Sequence, residues 1–165
     1  MDPGAALGTA IVDDNLAGGH HAAADGGRQD DESVQAAMVM RRIAVIDDEP
    51  LILRATQRLL QGLGYRVRTY LDGRIAVELM RRERPDVVLV DLHMSEMDGI
   101  QVLRRLLALD RPPPVIVMSG DGTTLVRQRL DELRLAERVG YLGKPFTVKE
   151  LEEALAGAMQ GRPSH

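Results

Sequence analysis

From Arg41 onward, short apolar runs alternate with longer segments of helical period. "RIAVID" (42–47), "YRVRTY" (65–70), "DVVLVD" (86–91), "PVIVMS" (114–119) and "VGYLGK" (139–144) have the length and composition of strands. Val87, Val88, Leu89 and Val90 show no alternation with polar residues, which predicts a strand buried on both faces. Five helices are expected between and after the strands. The first puts Ile52, Ala55, Leu59 and Leu63 on one face, with Pro50 in its opening turn and Gly62 and Gly64 closing it. The second carries Ile75, Ala76, Leu79 and Met80, the third Ile100, Leu103 and Leu107, and the fourth Val126, Leu130 and Leu133. The last opens on Thr147, three residues before Glu150 as in a capping box, and continues with Val148, Leu151, Leu155 and Ala158. Strands that alternate with helices predict an α/β fold, a parallel sheet covered by helices on both faces.

Residues 1–40 depart from this pattern. "AGGHHAAADGGRQDDES" has no useful period and reads as a disordered tail. His20 and His21 have no partner ligands nearby and are not read as a metal site. "AIVDDN" (10–15) looks like a strand ending in paired aspartates, but no helix-forming segment follows it. Met38 and Met40, just before the first strand, raise the hypothesis that translation starts there, which the intact mass of the protein from its native host would decide. The tail holds seven acids against Arg28, so the net charge of -4 divides into -6 for residues 1–40 and +2 for residues 41–165. Basic residues are scattered among acids rather than gathered in a stripe, and no nucleic-acid surface is expected.

A chain of 165 residues suits one domain, here 41–160, with the tail before it and a short C-terminal tail, 161–165. One Phe, three Tyr and no Trp make the expected core aliphatic. The absence of cysteine excludes disulfides, thiolate zinc sites and cysteine nucleophiles. No apolar run approaches a membrane span, and the acidic N-terminus lacks the charged start and apolar centre of a signal peptide, so a cytoplasmic protein is expected.

In parallel sheets ligands lie beyond the carboxyl ends of the strands. The first strand ends in Asp47, Asp48 and Glu49, the third in Asp91, the fourth in Ser119 and Gly120, and the fifth in Lys144 and Pro145. Singly these have plain explanations: Asp48 and Asp91 as caps or turn residues, Ser119 as a turn residue, Lys144 as a solvated charge. Together they bring polar chemistry from four strands to one edge. Three converging carboxylates repel, and a divalent cation relieves the conflict. An all-oxygen ligand set favours magnesium, or manganese in its place. With the Lys144 ammonium, the Ser119 hydroxyl and room at Gly120, the parts suit phosphoryl transfer, with Asp91 as a nucleophile that forms an acyl phosphate.

"DDEP", "VDLHMSEMDG", "MSG" and "GKPF", in this order across residues 41–160, resemble a two-component response-regulator receiver domain. The resemblance implies a flavodoxin-like, doubly wound five-stranded sheet in the order 2-1-3-4-5. It implies that Asp91 is the phosphoacceptor, served by a phosphohistidine of a sensor histidine kinase or a histidine phosphotransfer protein. Asp47 and Asp48 would hold magnesium with Asp91, directly or through water, and the backbone carbonyl of His93 would be a further ligand. Lys144 would pair with Asp91 and then with the phosphoryl oxygen, its bond to Pro145 being commonly cis. Ser119 and Tyr141 would form the switch, Ser119 swinging toward the phosphoryl group while Tyr141 changes rotamer. Met94 and Met97 read as loop and core packing.

Three features depart from the family pattern. Ser95 stands where proline usually follows the acceptor, so a less rigid loop is expected. The step from Ser119 to Lys144, 25 residues, is long, which blurs the limits of the fourth helix. His93 and Asp121 occupy the two variable positions that in this family influence how quickly water removes the phosphoryl group.

Only 19 residues follow Phe146, so a stand-alone receiver is expected, acting by binding a downstream protein or by relaying the phosphoryl group. A homodimer is left open, and the charges of the fourth helix read as a solvated face. Two other readings compete. A magnesium-dependent aspartyl phosphohydrolase resembling the haloacid dehalogenase group would need an aspartate where His93 stands. A receiver-like binding module that is never phosphorylated would not need the complete set of site residues.

Overall fold

The computed structural model describes residues 40–95 and 98–161, and the expectations for residues 1–39, for Met97 and for residues 162–165 lie outside them. In chain order the elements are β1 (Arg42–Ile46), α1 (Pro50–Gly62), β2 (Arg66–Tyr70), α2 (Gly73–Glu83), β3 (Val87–Asp91), α3 (Gly99–Leu107), β4 (Val115–Ser119), α4 (Thr123–Glu132), a 3-10 turn (Ala136–Arg138), β5 (Gly140–Gly143) and α5 (Val148–Met159). The strands form one parallel sheet in the order β2-β1-β3-β4-β5, with Ile43 opposite Val87, Val88 opposite Val115 and Ile116 opposite Gly140. This is the flavodoxin-like order. Strand order reverses at β1, so the carboxyl ends of β1 and β3 flank the crevice in which such sheets hold ligands.

The unbroken apolar runs feed two cores, because successive side chains of a strand point to opposite faces. Val87 and Leu89 pack with Ile43, Val45, Ile116 and Met118 beneath α1 and α5. Val88 and Val90 pack with Ala44, Ile46 and Val117 beneath α2, α3 and α4. Full burial of one such side chain is worth about 2 kcal/mol. The central strands are therefore a firm platform for the polar groups at their ends.

The helix faces differ from the pattern in informative places. On α1 the buried residues are Leu53, Thr56 and Leu60, one position on from the expected Ile52, Ala55 and Leu59. Apolar residues at 51–53 and at 59 and 60 permit either of two adjacent faces, and the polar Thr56 disguised the one that is used. Ile75 and Val148, expected inside, are 56% and 44% exposed. Both stand in first turns, which enter at the carboxyl edge of the sheet rather than over its middle.

Helix ends follow local chemistry. Gly64 closes α1 with a left-handed φ of 87°, as the glycine signal suggested. Asp72 and Asp98 cap α2 and α3 through the amides of Arg74 and Ile100. At α5 the capping box is complete: the Thr147 amide donates to Glu150 Oε2 at 2.7 Å and the Glu150 amide to Thr147 Oγ1 at 3.3 Å. By contrast, α4 starts at Gly122 with no side-chain cap and buries only Val126 and Leu130. The extra length before Lys144 is absorbed after α4, where Arg134 takes a φ of 56° and the 3-10 turn follows.

Candidate functional site

The carboxyl ends of β1, β3, β4 and β5 meet at one pocket, as the strand ends predicted. Asp47 and Asp91 are 0% and 3% exposed. Lys144 reaches between them, its Nζ 2.7 Å from Asp47 Oδ2 and 3.1 Å from Asp91 Oδ1. The other oxygen of Asp47 accepts from the Glu49 amide at 2.9 Å, which fixes the carboxylate at the start of α1. Its main chain is tied too, the Asp47 amide donating to the Tyr70 carbonyl at 3.1 Å. Lys144 is delivered by the edge of the sheet: its amide donates to the Ser119 carbonyl at 2.7 Å, and its bond to Pro145 is cis.

Burial raises the pKa of Asp91; Lys144 opposes that shift, and the neighbouring charge of Asp47 adds to it. Burial alone would push Lys144 down. Its hydrogen bonds and charge attraction to Asp47 and Asp91 together outweigh that effect, and its pKa is raised. The ammonium is therefore a fixed positive charge of the pocket.

Asp48 completes the acid group. Asp47, Asp48 and Asp91 each offer an oxygen, and these atoms lie within 4.8 Å of one another. Three carboxylates against one ammonium leave two negative charges in excess in a largely buried crevice. Such a site fits a hard divalent cation with oxygen ligands.

The remaining predicted residues border the pocket on the β4 side. Ser119 is buried, and its Oγ accepts from the Asp121 amide at 3.1 Å. The Tyr141 hydroxyl donates to the Asp121 carbonyl at 2.9 Å, with the ring packed against the core under α4. The amide of His93 donates to the Asp91 carboxylate. Its imidazole Nε2 lies 2.7 Å from Asp121 Oδ2. Asp121 is thus shared by Ser119, Tyr141 and His93.

Two site residues escaped the sequence reading. Gly99 opens α3 directly against the end of β3: a Cβ there would lie 2.2 Å from the Asp91 carbonyl oxygen and 2.6 Å from Leu92 Cα. Only glycine lets α3 start so close to the Asp91 backbone, and the "DG" at 98 and 99 was the available signal. Ser95, noted only as a departure, donates its amide and hydroxyl to Asp48. No local pattern announces a contact across 47 residues.

Known proteins agree with this geometry. Residues 43–156 match the family model of the response regulator receiver domain. The chain is 33% identical over 123 residues to the transcriptional regulatory protein PrrA of Mycobacterium tuberculosis, covering 74% of this chain and 52% of that one. It is 30% identical over 121 residues to sporulation initiation phosphotransferase F of Bacillus subtilis, covering 72% and 93%. The chain spans about half the length or less of most of the first curated relatives that it matches. The solved chemotaxis protein CheY4 of Vibrio cholerae superposes with a TM-score of 0.63 at 26% identity, over 72% of this chain and 98% of that one. A receiver domain from Clostridium thermocellum gives 0.64 at 28%, over 73% and 95%. An acidic pocket at the switch point of a 2-1-3-4-5 sheet and a family match over more than half its length lead to one conclusion: this chain belongs to the response regulator receiver domain family.

Proposed function

We propose that Asp91 accepts a phosphoryl group from a phosphohistidine and that the adduct resets the face formed by α4, β5 and α5. Response regulators receive phosphoryl groups from histidine kinases or phosphotransfer proteins, and this domain is a signalling phosphoacceptor of that class rather than a conventional enzyme. The observation that carries the reading is the placement of Asp91: a carboxylate at the end of a central strand, 3.1 Å from Lys144, with two further acids close by.

A carboxylate oxygen of Asp91 attacks phosphorus, forming an O–P bond while the N–P bond of the donor breaks, and its electron pair returns to the imidazole. Lys144 favours the ionised form of Asp91 and afterwards pairs with a phosphoryl oxygen. Asp47 and Asp48 would hold magnesium, or manganese, together with Asp91 and the His93 carbonyl. That ion would neutralise charge on the phosphoryl oxygens during transfer. Ser119 turns its hydroxyl from the Asp121 amide to the phosphoryl group. Because the Asp121 carbonyl holds Tyr141, this turn changes the support of Tyr141 and shifts a two-state equilibrium of the adjoining face. A downstream protein, or a second phosphotransfer partner, reads that face.

Incubation with a small phosphodonor and magnesium, followed by intact mass, tests the reading. One phosphoryl adduct, absent in Asp91→Asn, is the expected result. Continuous release of phosphate from unrelated esters would favour the hydrolase, and no adduct at all would favour a binding module.

A further inference from the structure

The loop after β3 makes one contact that the proposed transfer does not use. Ser95 donates twice to a single oxygen: its amide lies 2.5 Å and its hydroxyl 2.7 Å from Asp48 Oδ2. These are the short distances of hydrogen bonds to a charged acceptor. They join the loop after β1 to the loop that leads from Asp91 toward α3.

We infer that Ser95 is a positioning residue for the divalent cation: it holds Asp48 by Oδ2, leaves Oδ1 to the ion, and fastens the acceptor loop to the acid pocket. The inference rests on reading Asp47, Asp48 and Asp91 as the cation site.

The physical case starts from repulsion. Asp48 is the least buried of the three acids, and the two buried carboxylates push it outward. A free aspartate at that edge would turn into water, and recalling it to a ligand position would cost side-chain freedom and Coulomb energy. Ser95 supplies two donors that keep the carboxylate within reach of its neighbours. Proline, the residue that the resemblance leads one to expect here, has neither an amide hydrogen nor a hydroxyl and could make neither bond. The coupling runs both ways, because a cation that fixes Asp48 also steadies the acceptor its loop is tied to.

The test is direct binding of Mn2+ to the full chain by electron paramagnetic resonance, with no phosphodonor present. Ser95→Ala, which keeps the amide, should weaken binding about threefold, the loss of one ordinary hydrogen bond, and Ser95→Pro about tenfold, the lower end of the range seen when outer partners of metal ligands are removed. Ser95→Thr, which keeps both donors, should restore wild-type affinity. Hydrogen exchange gives a second readout: Mn2+ should slow exchange at residues 93–95 in the wild type and not in Ser95→Pro. If Ser95→Pro disturbs the loop in circular dichroism, Ser95→Ala decides by itself. Ser95→Ala and Ser95→Pro that bind Mn2+ as tightly as the wild type would sink the role of Ser95 and leave the cation site standing. A wild type that binds no Mn2+ would remove both.

Discussion

On one side of the pocket Asp47 and Asp91 share Lys144, whose side chain is 17% exposed; on the other, His93 and Asp121 meet at 2.7 Å with side chains 52% and 48% exposed. The distances are alike and the energies are not. Around Lys144, water is excluded, so each charge depends on its partner, and removing one partner of such a group costs about 3–5 kcal/mol. Between His93 and Asp121, water screens the pair, and exposed pairs are worth about 0–1 kcal/mol. The same contrast runs through the supports. Asp47 is fixed by the Glu49 amide, the Tyr70 carbonyl and Lys144, whereas Asp121 belongs to the loop before α4, a helix that buries only Val126 and Leu130. The buried half has the stiffness chemistry needs, and the exposed half can move at small cost, as a switch requires.

The largest expected effect lies in the buried half. Lys144→Met should lower unfolding free energy at neutral pH by about 3 kcal/mol, since it leaves two buried carboxylates without their cation. Urea unfolding with and without magnesium measures this, and saturating magnesium should return part of the loss. An unchanged midpoint would mean that the ion pair does not hold this half together.

The next effect is in pH. Asp91 has a raised folded-state pKa, so its contribution to stability is fully present below its ordinary value and is lost as pH rises through the folded value. In the presence of a chelator, wild type minus Asp91→Asn should therefore give a stability difference that declines from acid toward neutral pH. Thermal unfolding of both proteins across that range checks the sign, and a difference that grows with pH would reverse the assignment of burial as the dominant cause.

The smallest effects belong to the exposed half. Asp121→Ala should change stability by less than about 1 kcal/mol, yet shorten the life of the phosphoryl adduct about threefold, because the negative charge of Asp121, which follows Ser119 by two residues, no longer repels the attacking water. Adduct decay followed by intact mass reads the lifetime; an unchanged rate would leave Asp121 with no part in dephosphorylation.

Strand number and the acids at the strand ends were legible because they are local: an apolar run, a turn and a polar residue follow one another in the chain, whereas the strand order came only with the family resemblance. The faces of the helices were less so. Thr56 lies in the buried row of α1, while Ile75 and Val148 lie outside theirs, and propensity does not reveal which of two adjacent stripes the sheet will cover. Of the site, Asp47, Asp48, Asp91, Ser119 and Lys144 could be named from motifs. The bonds of Ser95 to Asp48 and of His93 to Asp121 could not, since they join loops 47 and 28 residues apart and arise only once the sheet has placed them. Gly99 is an intermediate case: its motif was visible, but its reason is the proximity of the Asp91 backbone.

Lys144 enters the pocket 97 residues after Asp47, on an edge strand placed by everything that precedes it. A chain still emerging from the ribosome would carry its cluster of acids without the ammonium that reconciles them. Under the proposed function, competence to be phosphorylated thus arrives last: only a molecule whose final strand has docked assembles the whole pocket.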